Sequence, residues 1–473
     1  MNLPNYFLAD LPAGATLSSS LVTEACLALK RNREKYLATR TTQDMITLLT
    51  SLAKEWLAPE NPFRKLALAQ GPETTGFSSE VLARGLDAFF KELTPESFTA
   101  LLEQDFGHAA RLDDFGPPQS QRMALPVAPE LLVHVAAGNL PNPTLLSIVF
   151  GLLLRSAQLV KCATGSAFLP RLFGHSLYEA DPKAGSCLEI AEWKSSEPGR
   201  NSSGPLRADA VDPAAKRNAE LLRAAFEHAG CVTATGTDET LAAVRRLVPL
   251  QTRFVGYGHR VSFAYIASGM LSSASRRKTV ECAANDIVAW DQLGCLSPHV
   301  IYVENSDGDA RQFAKLLATE LERREQSEPR GDLPVEVAAT ISSRRSFYEI
   351  RAAQCEDPQE TRLWQSPDST AWTVVYEQDP RFQLSCLHRF VYVKEVKDLA
   401  EALRSADTVH GQVSTVGLAT PPERVKPLAL ELARWGVTRV CPLGKMQNPP
   451  VTWRHDGRPP LGELITWTDL EMD

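Results

Sequence analysis

Three residues of this chain have types and settings that could do chemistry: a thiol as nucleophile, an amide as oxyanion donor and an ammonium that could hold a nucleotide. Cys295 lies in WDQLGCLSPHV (290–300), between a glycine and the run Leu-Ser-Pro-His. Gly294 permits close backbone approach, and Pro298 restricts the chain just beyond. A thiol on an exposed turn with backbone N–H groups nearby can have a lowered pKa and act as a nucleophile. The blander reading is a buried cysteine entering the strand His299–Val303. Asn139 lies in AAGNLPNP (136–143), after an apolar strand and before a helix. An Asn side-chain N–H2 at that place can steady a developing oxyanion, although turn chemistry alone also explains an asparagine there. Lys161 ends the next strand, where an ammonium can reach the ribose or phosphate of a nucleotide; a solvated strand-end lysine is the alternative. In ATGTDE (234–239), Thr235, Gly236 and Thr237 can offer N–H groups to a phosphate at a helix start, or Thr237 can simply cap that helix.

The elements that must position these residues follow from periodicity. Residues 1 to 118 read as helical, with apolar residues at helical spacing over Leu21–Ala38, Thr42–Trp56 and Glu80–Phe90, broken at Pro59–Pro62 and Gly116–Pro118. From about 130 the pattern changes. Leu131–Ala136 is a short apolar strand, Thr144–Arg155 a strongly apolar helix and Ala157–Cys162 another strand. That order is a βαβ unit, so a parallel sheet is expected. Cys187–Trp193, Cys231–Ala234 and Arg253–Gly256 continue it, with a polar loop at Gly199–Ala215. A second α/β unit fills 262–445, with strands at His299–Val303, Trp372–Tyr376, Arg389–Val393, Val413–Leu418 and Val437–Cys441. The tail, 446–473, carries Trp453 and Trp467 and is expected to pack back over the body.

Composition bounds the function. At 473 residues the chain has length for two or three domains of ~150 residues. A net charge of −7 argues against non-specific binding to nucleic acid or an anionic membrane. The most apolar run, Leu145–Leu154, is far short of the ~20 residues of a membrane span, and the first residues do not read as a signal peptide. Nine scattered cysteines form no CxxC pair and no metal-ligand spacing with histidine. They suggest reduced thiols in a cytoplasm and no metal site.

Taken together, Asn139, Lys161 and Cys295 resemble in type, order and spacing the aldehyde dehydrogenase superfamily. There an Asn before a helix forms the oxyanion hole, a Lys some two dozen residues later holds the adenosine ribose, and a distant Cys is the nucleophile. ATGTDE takes the place of the superfamily's short stretch near the cofactor diphosphate. The closer likeness is to the LuxC-type acyl-CoA reductases. It is carried over about 120–473 by VHVAAGNLPNP, ANDIVAWDQLGCLSPHVIYVE, VSTVGLA and RVCPLGKMQNPPVTWRHDG. The resemblance implies an α/β aldehyde-dehydrogenase-like fold. Helices in 1–118 would pack on a Rossmann-type NADP-binding domain (119–261), followed by a catalytic domain (262–445).

Two departures refine what the likeness implies. Hydrolytic members carry a Glu general base where FVGYGHR places Gly256. Without it, water is poorly activated against a thioester, which suits an acyl group that is reduced instead. The Glu that grips the nicotinamide ribose has no counterpart in QLSCLHRF (383–390). Thr164, three residues after the ribose-binding Lys, replaces a Glu whose charge would repel a 2′-phosphate, and so favours NADPH. The expected activity is NADPH-dependent reduction of a fatty acyl thioester, on CoA or a carrier, to the aldehyde through acyl-Cys295. The alternatives are a Cys acyltransferase or thioesterase with no redox step, and a short-chain CoA-acylating aldehyde dehydrogenase. The likeness further implies a homo-oligomer and an acyl-protein synthetase or carrier-protein partner. His259 and His299 are candidate proton carriers, and Asp286 and Glu304 are polar groups near Cys295 in sequence; structural roles compete for all four.

Overall fold

A computed structural model describes residues 3–12, 15–115, 122–195, 213–304, 309–354 and 360–471. The chain opens with helices α1 (Ser19–Tyr36), α2 (Thr42–Leu57), α3 (Pro62–Thr75), α4 (Ser79–Lys91) and α5 (Pro95–Phe106). Each begins at a residue chosen for the job. The side chains of Ser18, Thr41, Asn61, Ser78 and Thr94 accept the N–H three residues on, satisfying a donor the helix cannot. Such a cap is worth about 1 kcal/mol.

Strand β1 (Arg122–Val127) is followed by β2 (Leu131–Val135), β3 (Ala157–Cys162), β4 (Leu188–Glu192), β5 (Cys231–Thr235) and β6 (Arg253–Tyr257). The last five form a parallel sheet in the order β4-β3-β2-β5-β6. The order runs outward in both directions from β2, so a crevice opens between the carboxyl ends of β2 and β5. Helix α6 (Asn142–Leu153) links β2 to β3, and its apolar residues are buried almost all round. The α1–α5 helices share one core with this sheet: Trp56 of α2 stacks on Phe90 of α4 at 5.1 Å and donates its indole N–H to Ser176.

The second sheet has seven strands. In chain order they are β7 (Val261–Ile266), β8 (Pro298–Glu304), β9 (Thr361–Gln365), β10 (Thr373–Glu377), β11 (Phe390–Val396), β12 (Val413–Ala419) and β13 (Arg439–Pro442). Their order in space is β13-β12-β7-β8-β11-β10-β9, parallel except for the edge strand β9. Apolar cores cover both faces. The tail ends in β14 (Thr466–Glu471), which runs antiparallel along β1.

The βαβ unit and most strands of the two parallel sheets stand within a few residues of where periodicity places them. Strands β1, β7, β9 and β14 and the helices Phe168–Ala180 and Val335–Gln354 escaped that reading. All six side chains of β14 are exposed, so no alternation of buried and exposed residues marks it. The break at Gly116–Pro118 and most of the loop Gly199–Ala215 lie outside the described residues.

Candidate active site

The turn that carries Cys295 is strained and clamped. After the helix Arg276–Val288, three consecutive non-glycine residues, Trp290, Asp291 and Gln292, have φ of 53°, 49° and 65°. Left-handed backbone costs an L-residue about 1–2 kcal/mol, so surrounding contacts must hold it. Gln292 Nε2 donates to the carbonyls of Pro298 (2.8 Å) and Phe390 (2.9 Å). Asp291 accepts the N–H of Gly331 and pairs at 2.7 Å with Arg389, which is fully buried and also meets Glu325 at 2.9 Å. Arg389 itself ends a second left-handed run, Leu387–Arg389. QLSCLHRF thus has a use here that its sequence hides: it locks the turn that carries Cys295.

Neighbours fix Cys295 more closely. Ser262 Oγ on β7 donates to the Cys295 carbonyl at 2.8 Å and accepts the N–H of Thr415. A Cβ on Gly294 would lie 2.6 Å from Gln447 Oε1, and Gln447 is hydrogen-bonded to Ser297. A side chain before the cysteine would therefore have to displace the Gln447 amide.

Cys295 is half-buried at one wall of a mostly apolar cavity of about 170 Å³. Phe89 lines it from α4, Leu140 from the loop before α6, Leu146 and Phe150 from α6, and Pro449–Val451 and Trp453 from the tail. Thr235 of β5 and Tyr257 of β6 line it too, so strand ends of the first sheet meet the turn before β8 there. Beyond Asn448 and Trp453 it gives onto a wider groove whose walls include Lys91, Arg439 and Lys445. The thiol does not have the lowered pKa that an exposed turn would give it. Burial, reinforced by the Asp456 carboxylate, pushes it up to about 11, so at neutral pH it carries its proton.

Asn139 is exposed beside this turn, and its side-chain N–H2 donates to the Leu293 carbonyl at 3.1 Å. An amide has two N–H donors, and this bond uses one. Lys161 stands at the end of β3, buried, its Nζ 2.8 Å from Ser195 Oγ and 5.8 Å from the Trp193 ring. Desolvation holds its pKa below the usual lysine value. Thr164 is exposed in the loop that follows, and Glu192 at the end of β4 ties that loop by accepting the N–H groups of Gly165 and Ala167. Thr237 caps the helix Asp238–Arg245, accepting from Thr240, with Gly236 packed on Thr240. Thus Lys161, Thr164, Thr235, Gly236 and Thr237 cluster at carboxyl ends of the first sheet or in the loops just beyond, a setting that suits a nucleotide. Of these five, Thr235 alone reaches the Cys295 cavity.

Gly256 is backed by the Phe254 ring, 3.0 Å from where a Cβ would sit, and its carbonyl accepts from Arg458 of the tail. His299 is buried against Ser385, His259 is exposed, and neither lines the cavity. Asp286 accepts the N–H groups of Gly444 and Met446, and Glu304 pairs with Arg424. Both are structural. Sequence reasoning missed the tail's share of the cavity: Gln447, Pro449–Val451, Trp453 and His455 stand far from Cys295 in the chain, and their spacing relates to nothing near it.

The model of the family "Acyl-CoA reductase (LuxC)" matches residues 37–467. The chain belongs to that family. Among its relatives, the long-chain acyl-protein thioester reductase of Aliivibrio fischeri is 22% identical over 96% of this chain and 87% of that one. The one from Photorhabdus laumondii is 21% identical over 90% and 82%. A crystal structure from Burkholderia cenocepacia described as an aldehyde dehydrogenase superposes with a TM-score of 0.68 at 14% identity, over 96% of this chain and 92% of that one. A bifunctional proline utilization A protein gives 0.68 at 14%, over 96% and 45%. This LuxC-family chain therefore has the aldehyde dehydrogenase fold and is an enzyme of the acyl-CoA reductase type. No helix among the described residues is long and apolar enough to cross a membrane.

Proposed function

We propose that this enzyme reduces a fatty acyl thioester to the aldehyde with NADPH, by way of an acyl group held on Cys295. The observation that carries this reading is the shared cavity: Cys295, on the turn before β8, and Thr235, at the end of β5 in the first sheet, line one apolar space. An acyl chain suits that space, and Lys91, Arg439 and Lys445 on the adjoining groove suit the anionic carrier of a thioester, CoA or a carrier protein. Cys295 attacks the thioester carbonyl. The second N–H of Asn139 and the Cys295 backbone N–H steady the oxyanion, and the donor thiol leaves. Bound NADPH supplies the hydride that turns the acyl group into the aldehyde. Lys161 would hold its ribose, Thr164 would leave room for the 2′-phosphate, and the N–H groups of Thr235, Gly236 and Thr237 would serve its diphosphate. Gly256, in place of a base, keeps the acyl-enzyme from hydrolysis. The ribbon of β1 and β14, in which every side chain of β14 is exposed, is the surface we assign to a second copy of the chain.

The test is incubation with a long-chain acyl-CoA in the absence of NADPH, followed by mass spectrometry of the peptide holding Cys295. An acyl adduct is expected, with release of aldehyde when NADPH is added. Aldehyde formation by Cys295→Ala, or no adduct on the wild-type enzyme, overturns the reading. An adduct that turns over without consuming NADPH makes the enzyme an acyltransferase or thioesterase.

A further inference from the structure

Protonated Cys295 needs somewhere to send its proton, and the fold provides a group from the tail. His455 lines the cavity that Cys295 faces. Its ring is stacked between two others, at 4.2 Å and 9° from Tyr257 of β6 and at 4.5 Å and 30° from Trp453. The segment is pinned to β6 at Gly256. Arg458 donates to the Gly256 carbonyl at 2.7 Å and lays its guanidinium 4.5 Å over the Tyr257 ring. Asp456, itself left-handed at φ 54°, sits between His455 (4.0 Å) and Arg260 (3.1 Å). The charged and titratable groups that face the imidazole are thus Asp456 and Arg458 from its own segment, Tyr257 from β6 and Arg260 from the loop beyond β6.

Resting on the reading of Cys295 as the acyl carrier, we infer that His455 is the proton carrier of the acyl-transfer step. Its imidazole takes the Cys295 proton during attack and returns it to the sulfur of the departing thiol. The step balances: a bond forms from Cys295 Sγ to the acyl carbon, the bond from that carbon to the donor sulfur breaks, and one proton moves between the two sulfurs. No oxidant or reductant is involved. Burial holds the imidazole at about 4, hence neutral and able to accept at pH 7. The Asp456 carboxylate disfavours a free thiolate and favours the imidazolium, so proton transfer is coupled to attack.

The experiment follows acyl-Cys295 formation without any nicotinamide, by quenched flow and mass spectrometry. His455→Phe keeps a ring in the stack, and His455→Gln serves if the Phe variant does not fold, as judged by circular dichroism and thermal midpoint. At pH 7 acylation by an acyl-CoA should fall ~100-fold. The loss should shrink as pH rises and the thiol ionises unaided. It should also shrink with the S-phenyl ester of the same acid, whose thiolate leaves without a proton. A rate within threefold of wild type, or a loss equal at every pH and for both esters, overturns the inference and makes His455 a wall of the cavity. If the wild-type enzyme forms no adduct, the reading of Cys295 fails instead.

Discussion

The two sheets hold their functional residues in opposite ways. Lys161, Thr235 and Glu192 stand at the ends of regular parallel strands, positioned by the ladder itself. Cys295 stands after a run of three left-handed residues, and groups drawn from Glu325, Gly331, Arg389 and Gln447 hold it. A strand end tolerates change because the backbone bonds remain. A strained turn depends on each clamp, since release of any one lets it relax. Strain of this kind would serve the role proposed for Cys295, since a nucleophile must meet a carbonyl at one spot.

The sharpest way to break that contrast is at Arg389. Arg389→Met leaves Asp291 buried and uncompensated, and should cost about 3–5 kcal/mol and most acylation of Cys295. Denaturant midpoints and the adduct assay read the two losses. Arg389→Met combined with Asp291→Asn should recover part of the stability. A loss below about 1 kcal/mol in the single variant would show that the turn keeps its shape unaided.

Acid probes the regular half. His134 on β2 is buried between Thr233 on β5 (2.7 Å) and Gln158 on β3 (3.1 Å), and desolvation lowers it to about 4. The unfolded chain takes up this proton near pH 6.5. His134 therefore contributes its full stability above about pH 6.5 and loses it as pH falls towards 4, by about 3 kcal/mol in all. Denaturant midpoints from pH 7 to 4.5 should show the slope, and His134→Gln should reduce it, leaving the shares of His299, His388 and His455. An unchanged slope in that variant places the acid response elsewhere, His299 being the next candidate.

The same contrast explains what the sequence made legible. The first sheet announced itself, since strand, turn and helix alternate in LLVHVAAGNLPNP and the residues at strand ends follow from that order. Cys295 was visible from its flanking glycine and proline. Its clamps were not, because a buried arginine in CLHRF and a glutamine in KMQNPP have no local pattern that sets them apart from surface residues. Nor was its protonation state: the lowered pKa expected from an exposed turn gave way to burial contributed by distant segments. His455 hid for the same reason, in a tail whose glycines and prolines read as loop.

A smaller effect sharpens the comparison inside the turn. Gly294→Ala would bring a methyl group 2.6 Å from Gln447 Oε1, and Gln447 is held by Ser297. Overpacking of that order costs about 1–3 kcal/mol. The expected result is a fall of roughly 10- to 100-fold in Cys295 acylation, since small misplacements of reacting groups carry such penalties. Gln447→Ala should restore part of the rate in the double variant. No recovery there would mean that Gly294 serves backbone freedom and not clearance.

The mildest change belongs to the strand ends. Lys161→Met keeps the length of the side chain and much of its packing on Trp193, and removes the bond to Ser195 and the charge. The β2–β3–β4 ladder does not use that side chain, so the thermal midpoint should move little. A lysine that holds a cofactor ribose should lose about tenfold in NADPH affinity, near 1.4 kcal/mol, while acylation of Cys295 without NADPH stays at the wild-type rate. Fluorescence titration with NADPH and the adduct assay separate the two. If acylation falls as well, the crevice and the nucleophile's turn are coupled, and the difference drawn between the two sheets is smaller than their backbones suggest.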